Sequence, residues 1–183
     1  MPVTYAARHV LEDHISGFEA TPNPHHLAIL RAVSVFSVLA HQGHEGDIDE
    51  ALTNLEDVHV RFCGPGEWLV LSETVAAETI ARQLAEFGSN RASFVDQSDG
   101  RVVLRIHGPK VRAILAKCTA LDLHADHFEI GQSTNCQICH VAANLARTGQ
   151  DTFEIIVMRS FAGFLFDEVR EMGREFALTA GFA

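Results

Sequence analysis

Cys136-Gln-Ile-Cys139-His140 is the sharpest chemical signal in this 183-residue chain. Two cysteines three apart, followed by histidine, match the form that attaches haem c through two thioethers with the histidine as axial ligand. The surroundings oppose that use. No basic segment followed by an apolar one opens the chain as an export signal, and residues three apart on a strand point to opposite faces, so one haem could not reach both sulfurs. A tetrahedral zinc site is the stronger alternative, because His124 and His127 precede Cys136 and Cys139 and offer paired ligands around a loop. The strand geometry counts against the cysteine pair here too. The four residues stand as a candidate metal set beside a plainer reading, solvated histidines in a loop and buried or edge cysteines.

Other chemistry is weaker. Eleven histidines invite an acid–base reading, yet no serine or cysteine sits in a Gly-x-Ser-x-Gly elbow. Asp96, Asp99 and Asp122 could serve as acids or bases, but Asp99-Gly100 is first of all a turn. No Gly-x-Gly-x-x-Gly follows a strand, which excludes the common flavin or nicotinamide fingerprint. Arg159-Ser160 opens the last predicted helix, where an arginine beside a helix N-terminus could hold an anion such as a partner's acidic side chain. The plainer reading is a solvated arginine and a capping serine.

These residues must be positioned by strands and helices that the patterning predicts. Residues 94–124 are the clearest stretch: Val102, Leu104 and Ile106 alternate as a strand, Gly108-Pro109 ends it, and Val111, Ile114, Leu115 and Cys118 fall on one helix face. Upstream, a strand is expected from about Ala32 to His41 and a short helix capped by Asp47. A hairpin joined by Gly64-Pro-Gly66 should follow, then a helix with Ala77, Ile80, Ala81, Leu84 and Phe87 on its buried face. Downstream, Thr134–Leu145 and Thr152–Met158 read as a hairpin, followed by a helix capped by Ser160 with Phe161, Phe164, Leu165 and Met172 inward. Both halves share the order strand, glycine-ended turn, helix, hairpin, helix. The repeat predicts an α+β fold of two ferredoxin-like half-units, about 27–97 and 98–176, in one domain. Residues 1–26 are expected to be an extended or disordered arm and 177–183 a tail.

Several motifs in this order carry a family likeness: Gly64-Pro-Gly-Glu-Trp68-Leu, Asp96-Gln-Ser98-Asp-Gly-Arg101, His107-Gly-Pro109, Ile114-Leu-Ala-Lys117-Cys118, Leu121-Asp-Leu-His124, and Phe153 to Ala162. Over roughly residues 27–172 the chain resembles the gamma subunit of heterotetrameric sarcosine oxidase. The resemblance implies an aminomethyltransferase-like, folate-binding type of fold and a structural, non-catalytic subunit. Its alpha, beta and delta partners would hold FAD, FMN, NAD and tetrahydrofolate, demethylate sarcosine to glycine, pass the methylene to tetrahydrofolate and form hydrogen peroxide. Two alternatives remain open. One is a subunit of a related N-methyl amino acid dehydrogenase, the other a free-standing folate-binding one-carbon protein.

Charge and composition bound the partners. A formal charge of −10 opposes nucleic acid or an anionic membrane surface, and the apolar run Leu27–Ala40, broken by Arg31, is too short to span a bilayer. A cytoplasmic location is expected, with the four cysteines as thiols. A subunit of this kind needs a docking surface rich in aromatic and arginine residues. Two regions qualify: the hairpin carrying Trp68, and the last helix with Arg159, Phe161, Phe164, Phe166 and Phe176, whose rings are spread too widely to share one core.

Overall fold

The computed structural model describes residues 8–15 and 23–183. Within the stretch expected to be an extended or disordered arm, Glu12–Ile15 form one helical turn, α1, and Leu11 and Ile15 are fully buried in the main core. A single turn offers one i, i+4 apolar pair, too short a signal for periodicity to register. α1 packs closely enough that a Cβ on Gly163 would lie 2.6 Å from His14 Nε2. The rest of the arm, residues 1–7 and 16–22, lies outside the described residues.

Strand β1 (His26–Leu30) comes next and is buried along its whole length, as suits a strand covered on both faces. It is separate from β2 (Ser34–Ala40), which is the strand expected from about Ala32 to His41, and β1 itself has no counterpart among the expected strands. Then follow α2 (Glu45–Thr53), β3 (His59–Gly64), β4 (Glu67–Ser72), α3 (Ala77–Gly88) and β5 (Ala92–Asp96). β2 to β5 form an antiparallel sheet in the order β3-β4-β2-β5, the strand order of a ferredoxin-like unit. α2 buries Ile48 and Leu52, and α3 buries Ile80 and Leu84, against Phe36, Val38, Trp68 and Val70. In the approach to α3 the Ser72 hydroxyl accepts from Thr74 N–H and Val75 N–H.

The second half runs β6 (Arg101–His107), α4 (Val111–Leu115), β7 (Ser133–Ile138), β8 (Val141–Gly149), β9 (Thr152–Met158), a 3-10 turn at Arg159–Phe161, α5 (Ala162–Gly173) and β10 (Thr179–Phe182). The predicted strand Thr134–Leu145 is therefore two, parted by a tight turn. At Gly108, with φ +133°, a Cβ would strike the Pro24 carbonyl oxygen, so the turn that launches α4 requires glycine.

The second sheet has the order β10-β1-β6-β9-β8-β7. β8-β9-β6-β10 repeats the ferredoxin-like order, with two additions. β7 extends the edge, and β1 is inserted from the N-terminus, antiparallel to β6 and parallel to β10. The expected tail is thus an edge strand. The four residues of β10 are too few to show an alternating pattern.

Helices and sheets stack in four layers. α4, α5 and α1 cover one face of the larger sheet, α2 and α3 cover one face of the smaller, and the sheets meet through Leu30, Val35, Leu69, Leu71, Val103 and Ile156. No helix among the described residues is long and apolar enough to cross a membrane.

Candidate functional site

The proposed metal ligands are not drawn together. Cys139 and His140 occupy the two-residue turn between β7 and β8, with φ of 47° and 70°, a conformation usually left to Asn or Gly. Cys139 N–H donates to the Cys118 carbonyl at 2.7 Å, tying the turn to the segment that follows α4. Cys136 is half-buried on β7, while His124 and His127 are exposed, their rings 6.0 Å apart and facing Asp126 and Asp122 respectively. Among the described residues no group of three or more His, Cys, Asp or Glu is arranged to hold a metal. Burial pushes the Cys118 thiol up to about 12 and Cys63 to about 11, so neither is a thiolate nucleophile at neutral pH.

Two of the docking candidates are interior. Trp68 is 4% exposed and its indole N–H donates to Asp49 of α2 at 3.0 Å. Phe166 is fully buried, because the inward stripe of α5 is Ala162, Leu165, Phe166 and Val169. The chain enters this helix through the 3-10 turn, where no side chain caps, Ser160 included. That entry sets the stripe one position away from the predicted one and turns Phe161 (51% exposed) and Phe164 (50%) outward. With Met158 they are exposed apolar side chains, and Met158 and Phe164 line a groove of about 690 Å³ together with Arg159, Val10, His14 and Gly100. Arg159 Nη2 donates to the Arg8 carbonyl at 3.4 Å. Phe176 packs partly against the core, under the Lys117 ammonium.

A second cluster lies between the sheets. Glu154, in the middle of buried β9, is ion-paired to Arg61 of β3 and accepts from Arg105 Nε at 2.7 Å, while Arg105 also pairs with Glu73. Burial alone would raise the Glu154 carboxyl, but the two guanidiniums outweigh it and hold the group below its ordinary range. Sequence reasoning missed this network. Its signal was a lone glutamate within the otherwise apolar run Phe153–Val157, directly opposite Arg105 across the strand pair. Arg61, Arg105, Arg147 and Glu154 line an open cleft of about 540 Å³.

Residues 48–182 match the GCVT N-terminal domain family. The chain belongs to that family. Its relatives include the gamma subunit of sarcosine oxidase from Corynebacterium sp. strain P-1, 28% identical over 67% of this chain and 62% of the subunit, and that of strain U-96, 27% identical over 79% and 67%. An aminomethyltransferase of Saccharopolyspora erythraea is 30% identical over 68% of this chain and 34% of the enzyme. These matches span about two thirds of the gamma subunits and a third of the aminomethyltransferase. Among solved structures, a chain of the heterotetrameric sarcosine oxidase from Corynebacterium sp. U-96, in complex with pyrrole 2-carboxylate, has a TM-score of 0.80 at 20% identity, over 93% of this chain and 96% of that one. The glycine cleavage system aminomethyltransferase T from Bartonella henselae gives 0.60 at 16% identity, over 95% and 50%. The gamma-subunit family resemblance and the aminomethyltransferase-like α+β fold expected from the sequence are both upheld.

Proposed function

We propose that this chain is the gamma subunit of a heterotetrameric sarcosine oxidase, a structural subunit without an active site of its own. The observation that carries this reading is the likeness, over nearly the full length of both, to a chain of such an assembly. In this reading alpha, beta and delta subunits supply FAD, FMN, NAD and tetrahydrofolate. The assembly demethylates sarcosine to glycine, passes the methylene to tetrahydrofolate and forms hydrogen peroxide in the cytoplasm. The exposed Met158, Phe161 and Phe164 rimmed by Arg159 suit a docking face, since rigid aromatic and arginine side chains dominate such contacts.

Coexpression with candidate alpha, beta and delta subunits tests the proposal. The full assembly should copurify and oxidise sarcosine, the isolated chain should form no peroxide, and Phe161→Asp with Phe164→Asp should leave the fold intact while abolishing copurification. Sarcosine-dependent peroxide from the isolated chain would overturn the non-catalytic role. Activity with N-methylglutamate in place of sarcosine would assign the related dehydrogenase.

The likeness to aminomethyltransferases favours one second reading, a folate-binding one-carbon protein. Calorimetric titration of the isolated chain with tetrahydrofolate separates the two: saturable heat at micromolar concentration supports the binder, and its absence the subunit.

A further inference from the structure

We propose that the inter-sheet cleft beside β3 is a binding site for a carboxylate. Three of its charged side chains are more than nine-tenths buried: Arg61 at 3% exposed, Glu154 at 4% and Arg147 at 6%. Arg61 Nη2 is paired with Glu154, but Arg61 Nη1 is buried without a hydrogen-bond partner among the described residues. Arg147 faces no carboxylate among the described ion pairs. Its donors go to the main-chain carbonyls of Gly149, Ala125, Phe128 and Gln150. The cleft wall thus carries three guanidiniums against one carboxylate, in a chain whose formal charge is −10. Arg105 is satisfied by Glu154 and Glu73, so the unmet demand is at Arg61. An unpartnered buried donor and an excess of buried positive charge are both costly, and one anion offsets both.

The shape of the cleft narrows the class. A planar guanidinium suits a planar carboxylate, and Val58, Val60, Ile130 and Ala146 on the walls suit a small apolar body behind it. The ligand is a monocarboxylate with a short apolar chain, either free or as an acidic side chain of a partner.

Propionate titrated into the isolated full-length chain, followed by amide and arginine side-chain chemical shifts at constant ionic strength, reads the site directly. Saturable shifts centred on Arg61 are expected, with a dissociation constant on the order of 1 mM, and no such response to propionamide. Ile130, 59% exposed at the rim, can be changed without touching the buried pair. Ile130→Asp should weaken propionate binding by about tenfold through like-charge repulsion, and Ile130→Asn by less than about threefold. An absence of saturation, an equal response to propionamide, or wild-type affinity in Ile130→Asp overturns the site. Repeating the titration on the coexpressed assembly identifies the source: retained binding marks a free ligand, and loss marks a partner's side chain already seated, and either result upholds the carboxylate site. Only this last arm presupposes the proposed assembly, so failure of the isolated-chain titration counts against the cleft alone.

Discussion

Glu154→Gln is the sharpest perturbation of the inter-sheet network. The glutamate is almost wholly buried and holds two guanidiniums at once, Arg61 and Arg105. Arg105 keeps Glu73 when Glu154 is neutralised, but Arg61 has no other carboxylate partner among the described residues. The variant therefore strands one buried cation, a change that costs about 3–5 kcal/mol. At this chain length each kcal/mol lowers the melting temperature by about 2–4 °C, so a fall on the order of 10 °C is expected. Replacing both partners, Arg61→Met with Glu154→Leu, removes the stranded charge and should return stability to within about 1 kcal/mol of wild type. Urea melts read by far-UV circular dichroism and by Trp68 fluorescence measure both variants, Trp68 reporting on the smaller sheet. The sign with pH follows from the depressed Glu154 carboxyl. Its stabilisation is fully present above the unfolded value of about 4.3 and is lost as pH falls through the lower folded value, so the gap between wild type and Glu154→Gln should close in acid. A Glu154→Gln penalty below about 1 kcal/mol, or a double variant no better than the single, would refute the reasoning.

Other sites give simpler tests. Desolvation first, and His107 second, lower the His26 imidazole. The neutral form is therefore the one that favours folding, so stability should fall as pH drops below the unfolded value of about 6.5, and His26→Asn should flatten that part of the pH–melting profile. With their thiols raised to about 12 and about 11, Cys118 and Cys63 should resist iodoacetamide at pH 8 in the folded chain and react promptly in denaturant, which mass spectrometry of the alkylated peptides will show. Leu11→Ala should cost about 2–5 kcal/mol in a denaturant melt if α1 is part of the core, and almost nothing if that segment is a loose arm.

The repeat was legible because it rests on long, strongly periodic elements. β6 and the face of α4 show their alternation and their i, i+3, i+4 spacing openly, and α3 buries Ile80 and Leu84 as the pattern requires. What escaped was short or placed by distant residues. α1 and β10 have four residues each, less than one full repeat of a convincing signal. Nothing local in His26–Leu30 says that it will be spliced between β6 and β10 of the other half, because that pairing is chosen by the larger sheet. The turn at Cys139-His140 was hidden by its residue types, and the contact with Cys118 holds a backbone that the dipeptide alone would not choose.

The site was less legible for a related reason: periodicity assigns residues to faces, but burial depends on what covers each face. Arg61 alternates with Val60 and Phe62 on β3 as a solvent-facing residue should, yet it is Phe62 that is half exposed and Arg61 that is buried, because the larger sheet lies over the polar face. α5 shows the same dependence in a helix. Its aromatics are spread widely enough that one of several stripes could face inward, and the 3-10 turn at Arg159–Phe161 selects the stripe containing Phe166. The docking proposal therefore passes from Phe166, whose replacement by aspartate would unfold the core, to Phe161 and Phe164, where the same change alters a surface. Loss of partner binding at those two positions, with an unchanged melting temperature, separates a contact residue from a core residue in a way that no Phe166 variant can.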